Sequence, residues 1–229
     1  MSPPLVSVVL PVYNGERYLA SALASILDQE YRHFEIIVVD DGSTDGSAEI
    51  ARSLHGVRYL HQQNQGVAAA WNAGIAASRG DLIAFLAQDD LWTPSKLAVQ
   101  VAYLSDHLDA QYCVAKARYF LEPGCRVPAG FRRERLEGDH VARIVETMLA
   151  RKSAFDLVGR FDTSLVLADV DWFARAKDAA VPMIVLPQVV LHRRIHDDNL
   201  TYRVSARGYR DLLTTLGRSI KRQRGTGDG

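Results

Sequence analysis

The feature that most constrains the fold is a regular alternation of apolar runs and helical spacings between residues 6 and 89. Apolar runs predict four strands, and apolar residues at helical spacing predict a helix after each of the first three. The predicted strands are residues 6–12, 34–39, 57–61 and 82–89, and the predicted helices are residues 19–27, 47–54 and 66–77. We expect Asn14 to cap the first helix. This order predicts an α/β fold with a parallel sheet and right-handed crossovers.

The second half of the chain is less regular. It predicts strands at residues 110–121, 183–186 and 189–195, and helices at residues 140–150, 169–179 and 205–222. The glycine-rich end, residues 223–229, is predicted to be disordered. With no repeats and ordinary composition, the sequence predicts a single domain, residues 1–222.

Composition excludes some classes of protein. Lys plus Arg (27) equals Asp plus Glu (27), so no global positive field indicates nucleic acid. No apolar stretch approaches the roughly 18 residues of a membrane-spanning helix, which predicts a soluble or at most peripheral protein. The start, Met1 to Pro4, carries no secretory leader, and Cys113 and Cys125 are the only cysteines. We therefore expect free thiols and a cytoplasmic location, and a disulfide between the two cysteines is the alternative.

Acidic side chains follow the fourth predicted strand. Asp89 and Asp90 follow the apolar run 82–86 with two residues between, at the edge of the sheet where α/β proteins bind ligands. Carboxylate oxygens there suit a hard divalent ion that also binds a diphosphate. The alternative is a solvated turn before a helix that Thr93 caps and Pro94 begins.

Polar residues also follow the first two strands. Tyr13 could stack on a base while Asp41 accepts a hydrogen bond from a base N–H, and the alternative is a turn with a packed tyrosine. The segment 14–17 matches neither the dinucleotide-binding nor the P-loop glycine pattern. Glycine-rich backbone therefore does not neutralise a diphosphate here.

A metal on Asp89 and basic side chains must neutralise the diphosphate instead. Arg193, Arg194 and His196 are the candidates. The same basic segment could equally form an exposed edge strand.

Seven segments in order resemble the family 2 glycosyltransferases of the GT-A fold. They are residues 6–14, 38–45, 64–74, 85–92, 155–162, 168–175 and 194–200. The resemblance implies a Rossmann-like mixed, mainly parallel sheet flanked by helices. It also implies transfer of a sugar from a nucleotide diphosphate donor, with inversion and with Mn²⁺ or Mg²⁺. The implied halves are nucleotide-binding (5–109) and acceptor-binding (110–200), followed by a terminal helix (201–222).

The resemblance assigns roles by position. Asp89 matches the metal-binding carboxylate, and Asp169 matches the general base. The residues that match nucleotide-binding positions are Pro11, Tyr13, Asp41, Gln88, Arg193, Arg194 and His196. The acceptor could be a glycan, a lipid-linked intermediate, a protein or a small molecule.

Three positions depart from the family pattern. Ala87 replaces the first acidic residue of the D-x-D motif, and Ala168 replaces the usual Glu before the base. Trp71 stands where relatives commonly have an Arg facing the nucleotide, although a core tryptophan is the alternative. Ala87 and Ala168 keep open a catalytically impaired sugar-nucleotide-binding protein, and a nucleotidyltransferase is a further alternative.

The terminal helix is amphipathic. Leu212, Leu213, Leu216 and Ile220 recur beside Arg218 and Lys221. Such a helix could rest on an anionic membrane and meet a lipid-linked acceptor. The alternative is that it packs its apolar face on the domain.

Overall fold

A computed structural model describes residues 3–199 and 205–225. The strands are β1 (Val6–Val12), β2 (Phe34–Asp40), β3 (Val57–His61), β4 (Leu82–Phe85), β5 (Leu91–Trp92), β6 (Tyr112–Leu121), β7 (His140–Val141), β8 (Leu149–Arg151) and β9 (Ile184–Ile195). The helices are α1 (Leu19–Leu27), α2 (Ser47–Ser53), α3 (Val67–Ala77), α4 (Lys96–Asp106), α5 (Ala154–Leu157), α6 (Ala168–Asp178) and α7 (Ser205–Gly225). Two 3₁₀ turns, Arg133–Leu136 and Val145–Thr147, complete the secondary structure of the described residues.

The strands form one mixed sheet. Their order is β3-β2-β1-β4-β8-β6-β9-β5, and β7 pairs with β6 outside this path. The first four strands in this order are mutually parallel, whereas β8 runs antiparallel to β4. The predicted α/β fold with crossovers is therefore confirmed. Because parallel strands end at the same edge, the loops that follow β1, β2 and β4 meet there.

Two hydrophobic cores lie on opposite faces of the sheet. Alternate residues of β1 point to opposite sides. Val8 belongs to the core that α1 and α4 cover, and Val9 belongs to the core that α3 and α6 cover. Both faces of the central strands are therefore buried, which explains their continuous apolar sequences.

Gly74 allows α3 to pack closely on β1. A Cβ atom at this position would lie 2.2 Å from Val9 Cγ1. We expect Gly74→Ala to lower the free energy of unfolding by about 1–3 kcal/mol, because the core must shift to admit the methyl group. Urea denaturation would measure this change.

Gly217 of α7 provides the matched control for that experiment. A Cβ atom there meets nothing within 4 Å. Gly217→Ala should therefore raise the free energy of unfolding by up to about 1 kcal/mol through helix propensity alone. Equal effects of the two substitutions would contradict the packing role of Gly74.

The predicted helix at residues 140–150 is wrong. This segment forms β7, the 3₁₀ turn Val145–Thr147 and β8. Its apolar spacing suits a helix, but pairing of β8 with β4 and β6 overrides that local preference. The hydroxyl of Thr147 donates to the carbonyls of Ala142 (2.6 Å) and Ile144 (3.0 Å), which holds the turn.

Several predicted boundaries are also wrong. The strand predicted to reach Asp89 ends at Phe85, and the strands predicted at 183–186 and 189–195 are one strand, β9. Of the predicted disordered tail, residues 223–225 belong to α7 and residues 226–229 lie outside the described part of the chain. Residues 201–204 of the predicted terminal helix also lie outside it.

The predicted helix caps differ as well. α1 begins after Tyr18 rather than behind Asn14, and α4 begins after Ser95 rather than at Pro94. Neither helix has a side-chain cap hydrogen bond. Asn14 instead joins two loops at the edge of the sheet.

Candidate active site

A cavity of about 690 Å³ lies where the loops after β1, β2 and β4 meet. The sequence-predicted residues that line it are Pro11, Tyr13, Asp41, Gln88, Asp89 and His196. Residues that are distant in sequence thus meet at the carboxyl edge of the sheet, as expected for polar residues that follow parallel strands.

Hydrogen bonds join the loop after β1 to the loop after β2. The Asn14 amide donates to Ser43 Oγ (3.0 Å), and Asn14 Oδ1 accepts from the Thr44 amide (2.8 Å). Asn14 has a left-handed φ of 50°, which asparagine tolerates better than most residues. These contacts hold the loop that carries Tyr13, whose side chain is 48% exposed at the cavity.

Asp41 organises the wall of the cavity beyond β3. Its buried carboxylate accepts hydrogen bonds from Gln62 Nε2 (2.7 Å), the Gln65 amide (2.8 Å) and the Gly66 amide (2.8 Å). A carboxylate has about four acceptor positions, so these three bonds leave capacity for one more donor. Asp41 therefore combines a structural role with room for a ligand N–H group.

Gln88 braces the loop after β1. Its Oε1 accepts from the Tyr13 amide (2.8 Å), and its Nε2 donates to the Tyr13 carbonyl (3.2 Å). A Cβ atom at Gly15 would lie 2.6 Å from Gln88 Oε1, so this close approach needs glycine. In this geometry the Gln88 amide positions Tyr13.

Asp89 and His196 form a pair at the cavity. Asp89 Oδ2 lies 2.9 Å from His196 Nε2 and accepts from Asn199 Nδ2 (3.2 Å). His196 Nδ1 accepts the Asp198 amide (3.2 Å), so a neutral ring carries its hydrogen on Nε2 and donates it to Asp89. The turn after β9 thereby closes onto the segment after β4.

The Asp89 carboxylate fits a divalent cation whose other ligands come from substrate. The described residues contain no group of three or more His, Cys, Asp or Glu side chains that could hold a metal alone. Mg²⁺ in nucleotide sites is commonly held by one or two carboxylates together with phosphates and water. Asp89 supplies a carboxylate beside an open cavity, which suits Mn²⁺ or Mg²⁺ only with a diphosphate present, whereas both ring nitrogens of His196 are already engaged in hydrogen bonds.

Arg194 lies behind this pair and is 8% exposed. Its Nε donates to the Asp89 carbonyl (2.9 Å), its amide donates to Asp90 Oδ1 (2.9 Å), and its guanidinium pairs with Glu122. The guanidinium also lies over the Tyr18 ring, 4.6 Å from the centroid. Arg194 therefore positions the acidic segment in this structure.

Arg193 acts on three acids, of which Asp90 is buried and Glu146 and Asp169 are half-buried. Burial raises the pKa of Asp90 well above its ordinary value, and it also raises the pKa of Glu146 and of Asp169. The positive charge of Arg193 opposes the rise in all three. Glu146 was missed by sequence reasoning because the predicted helix at 140–150 hid its position beside the end of β4.

Asp169 lies in the first turn of α6 and accepts a hydrogen bond from the Val170 amide (2.9 Å). A helix N-terminus favours an ionised carboxylate, but burial is the larger influence here and the pKa of Asp169 is raised. Its neighbour Asp171 is 1% exposed and pairs with Arg175 Nε at 2.7 Å. The two acids therefore differ in role: Asp171 holds the helix, and Asp169 carries no side-chain ion pair within 4 Å among the described residues.

Two smaller predictions can now be settled. Trp71 is 6% exposed and packs on Phe85 and Phe161, with ring centroids 6.3 and 4.9 Å away, so the core interpretation is confirmed. Cys113 and Cys125 are both free, as expected. Within the described residues, no helix is long and apolar enough to cross a membrane.

The sequence profile of the family described as "Glycosyl transferase family 2" matches residues 7–158. A protein called an uncharacterized glycosyltransferase, from Rickettsia typhi, is 33% identical over 216 residues, which is 86% of this chain and 66% of that protein. A second, from Nostoc sp., is 42% identical over 117 residues, 45% of this chain and 36% of that protein. The chain thus spans two thirds or less of the length of these relatives.

Solved structures show the same fold at low sequence identity. The mannosyltransferase PcManGT of Pyrobaculum calidifontis, in complex with GDP-Man and Mn²⁺, has a TM-score of 0.73 and 20% identity over 96% of this chain and 65% of its own. S. aureus TarS 1-349 in complex with UDP-GlcNAc has a TM-score of 0.72 and 20% identity over 92% of this chain and 65% of its own. The fold is the GT-A fold of glycosyltransferases, and the chain belongs to glycosyl transferase family 2.

Proposed function

We propose that this protein transfers a glycosyl group from a nucleotide-diphosphate-sugar to an acceptor nucleophile, with inversion and with the help of Mn²⁺ or Mg²⁺. The observation that carries the proposal is the Asp89–His196 pair, 2.9 Å apart, at a cavity of about 690 Å³ that Tyr13 and Asp41 also line. The same cavity therefore offers a place for a cation with its diphosphate and, next to it, a place for the nucleobase.

Pro11, Tyr13 and Asp41 form the proposed nucleoside pocket. The half-exposed Tyr13 ring offers a stacking face, and Asp41 has one acceptor position left for a base N–H group. Gln88 contributes by holding the backbone of Tyr13 in place.

Asp89 is the proposed holder of the cation, which when bound would neutralise charge on the leaving nucleoside diphosphate. His196, which lines the same cavity, is the proposed basic residue beside the diphosphate. Arg193 is the proposed additional cation near the reacting phosphate, since its charge already acts on the acids beside β4. Arg194 acts by holding the backbone of Asp89 and the side chain of Asp90. These contacts hold the end of β9 against the segment that carries Asp89 and Asp90.

Asp169 is the proposed general base. The acceptor oxygen bonds to the anomeric carbon as the bond from that carbon to the phosphate oxygen breaks, and the acceptor proton passes to the Asp169 carboxylate. Attack opposite the leaving group inverts the configuration. A carboxylate whose pKa burial has raised is a stronger base than an ordinary aspartate.

Donor hydrolysis tests this proposal without knowledge of the acceptor. We expect slow release of UDP or GDP from at least one nucleotide-sugar in a panel, faster with Mn²⁺ than with EDTA. Tight nucleotide binding with no release from any donor would instead indicate the impaired binding protein that Ala87 and Ala168 suggest. Pyrophosphate release from a nucleoside triphosphate and a sugar phosphate would indicate a nucleotidyltransferase.

The acceptor belongs to one of four classes: a glycan, a lipid-linked intermediate, a protein or a small molecule. We propose the cytoplasm as the working compartment, which is supported by the free thiols of Cys113 and Cys125. We also propose that the terminal helix makes peripheral contact with a membrane.

A further inference from the structure

Helix α7 is attached to the domain through its polar side. Asp211 Oδ2 accepts hydrogen bonds from the amides of Val166 (2.6 Å) and Leu167 (3.3 Å). Near the other end of the helix, Arg222 Nε donates to Asp178 Oδ2 (2.7 Å). An ordinary surface helix does the reverse, since it buries an apolar stripe and exposes its polar face.

The apolar side of α7 faces outward. Leu213 is 56% exposed, Leu216 51%, Ile220 51% and Leu212 38%. We call these four residues the apolar face of α7. Neither of the two interpretations of this helix from sequence anticipated that it would dock on the domain and still leave this face uncovered.

The charges around the apolar face are positive. Arg210 precedes Leu213 by three residues and so borders the face. Lys221 follows Arg210 by eleven residues, about three helical turns, so it lies on the same flank of the helix, and both cations are exposed. The single acidic residue of 205–225 is Asp211, which is 7% exposed and occupied by the two amides. The uncovered side of the helix therefore presents leucine, isoleucine and positive charge.

We propose that the apolar face of α7 rests on an anionic lipid bilayer. Apolar side chains enter the boundary between headgroups and acyl chains, while the bordering cations contact acidic headgroups. A second copy of the chain is a poorer occupant, because pairing two such faces brings Arg210 and Lys221 of each copy toward like charges.

This surface also bears on the acceptor, and that part of the inference rests on the proposed function. The helix packs along α6, and Asp211 holds the two amides that immediately precede the first turn of α6, where Asp169 lies. A bilayer under α7 would therefore lie on the Asp169 side of the domain. The acceptor class that this placement favours is the lipid-linked one.

Co-sedimentation of the full chain with lipid vesicles tests the proposal. We expect binding to vesicles of equal parts phosphatidylcholine and phosphatidylglycerol and little binding to phosphatidylcholine alone. The variant L213Q/L216Q/I220Q should weaken the partition coefficient by at least roughly tenfold, because three apolar side chains no longer enter the bilayer. The matched control is L108Q/L157Q, since Leu108 (76% exposed) and Leu157 (60%) lie outside α7, and it should bind as the parent does.

The charges are tested separately. R210Q/K221Q should weaken binding to the anionic vesicles by roughly 10- to 30-fold, whereas R132Q/R133Q, which removes two exposed cations elsewhere, should have much less effect. Circular dichroism of each variant shows whether α7 and the domain remain folded.

Two results would overturn the proposal. One is a full-length protein that stays in the supernatant with anionic vesicles. The other is a dimer, seen by sedimentation equilibrium, that the substitutions L213Q/L216Q/I220Q dissociate. That result would assign the apolar face to a second copy.

Donor hydrolysis in vesicle-free buffer separates this test from the proposed function. A protein that hydrolyses donor but does not bind vesicles contradicts only the membrane inference. A protein that binds vesicles but hydrolyses no donor contradicts only the proposed function.

Discussion

Asp89→Asn should remove most of the tightening that Mn²⁺ gives to nucleoside diphosphate binding. The asparagine side chain keeps the size of aspartate and can still accept from His196 and Asn199, so the turn after β9 should stay in place. What is lost is the negative charge that a cation shares with a diphosphate. We expect the Mn²⁺-dependent gain in affinity for UDP or GDP to fall by roughly 10- to 100-fold, measured by calorimetry with Mn²⁺ and with EDTA.

Asp81→Asn is the matched control, because Asp81 is exposed and directly precedes β4 at the opposite end of that strand. It should leave the Mn²⁺ effect unchanged. Affinity in EDTA should be similar in the parent and both variants, since Tyr13 and Asp41 are untouched. An undiminished Mn²⁺ effect in Asp89→Asn would remove Asp89 from the proposed metal site.

The parallel half of the sheet was predictable because each of its strands is a local signal. The runs 6–12, 34–39 and 57–61 are mainly apolar, and turn residues separate them from helices with clear periodicity. The strand order was not predictable in this way, because β4 pairs with β1 rather than with β3. The convergence of Tyr13, Asp41 and Asp89 on one cavity is a consequence of that topology.

The acceptor half was less predictable, because its short strands form only by pairing with strands that are distant in sequence. β7 and β8 are two and three residues long, and their pairing with β6 and β4 cannot be read from their own spacing. Glu146 enters the neighbourhood of Asp89 and Asp169 only through that pairing. No local pattern in the sequence marks it.

The side-chain network of the candidate site was also beyond sequence reasoning. The residue types at positions 88 and 194 suggested nucleotide contacts, yet Gln88 binds the backbone of Tyr13 and Arg194 binds Asp89 and Asp90. Likewise, a place in the first turn of a helix favours an ionised carboxylate at Asp169, whereas burial raises its pKa. Desolvation depends on the complete fold, so it has no signal in a short segment.

Asp169→Asn should lower the turnover number by roughly a hundredfold to ten-thousandfold, because the amide retains the shape of the side chain but cannot accept the proton of the nucleophile. Within the described part of the chain, the Asp169 side chain accepts one hydrogen bond, from the Val170 amide, and an asparagine oxygen can accept it too. Donor affinity should therefore change little. Hydrolysis of the donor at saturating concentration measures the turnover, with water in place of the natural acceptor.

The pH dependence gives the same experiment a second, independent readout. A general base works only when deprotonated, and burial raises the pKa of Asp169, so the turnover of the parent should fall with decreasing pH at a higher pH than an ordinary aspartate would give. This acidic limb should vanish from the residual activity of Asp169→Asn.

Asp171→Asn is the matched control. It weakens the buried pair with Arg175 and should lower the free energy of unfolding by about 1.5–3 kcal/mol. The pH profile of the folded variant should keep its acidic limb. Turnover that survives in Asp169→Asn and disappears in folded Asp171→Asn would transfer the role of base to Asp171.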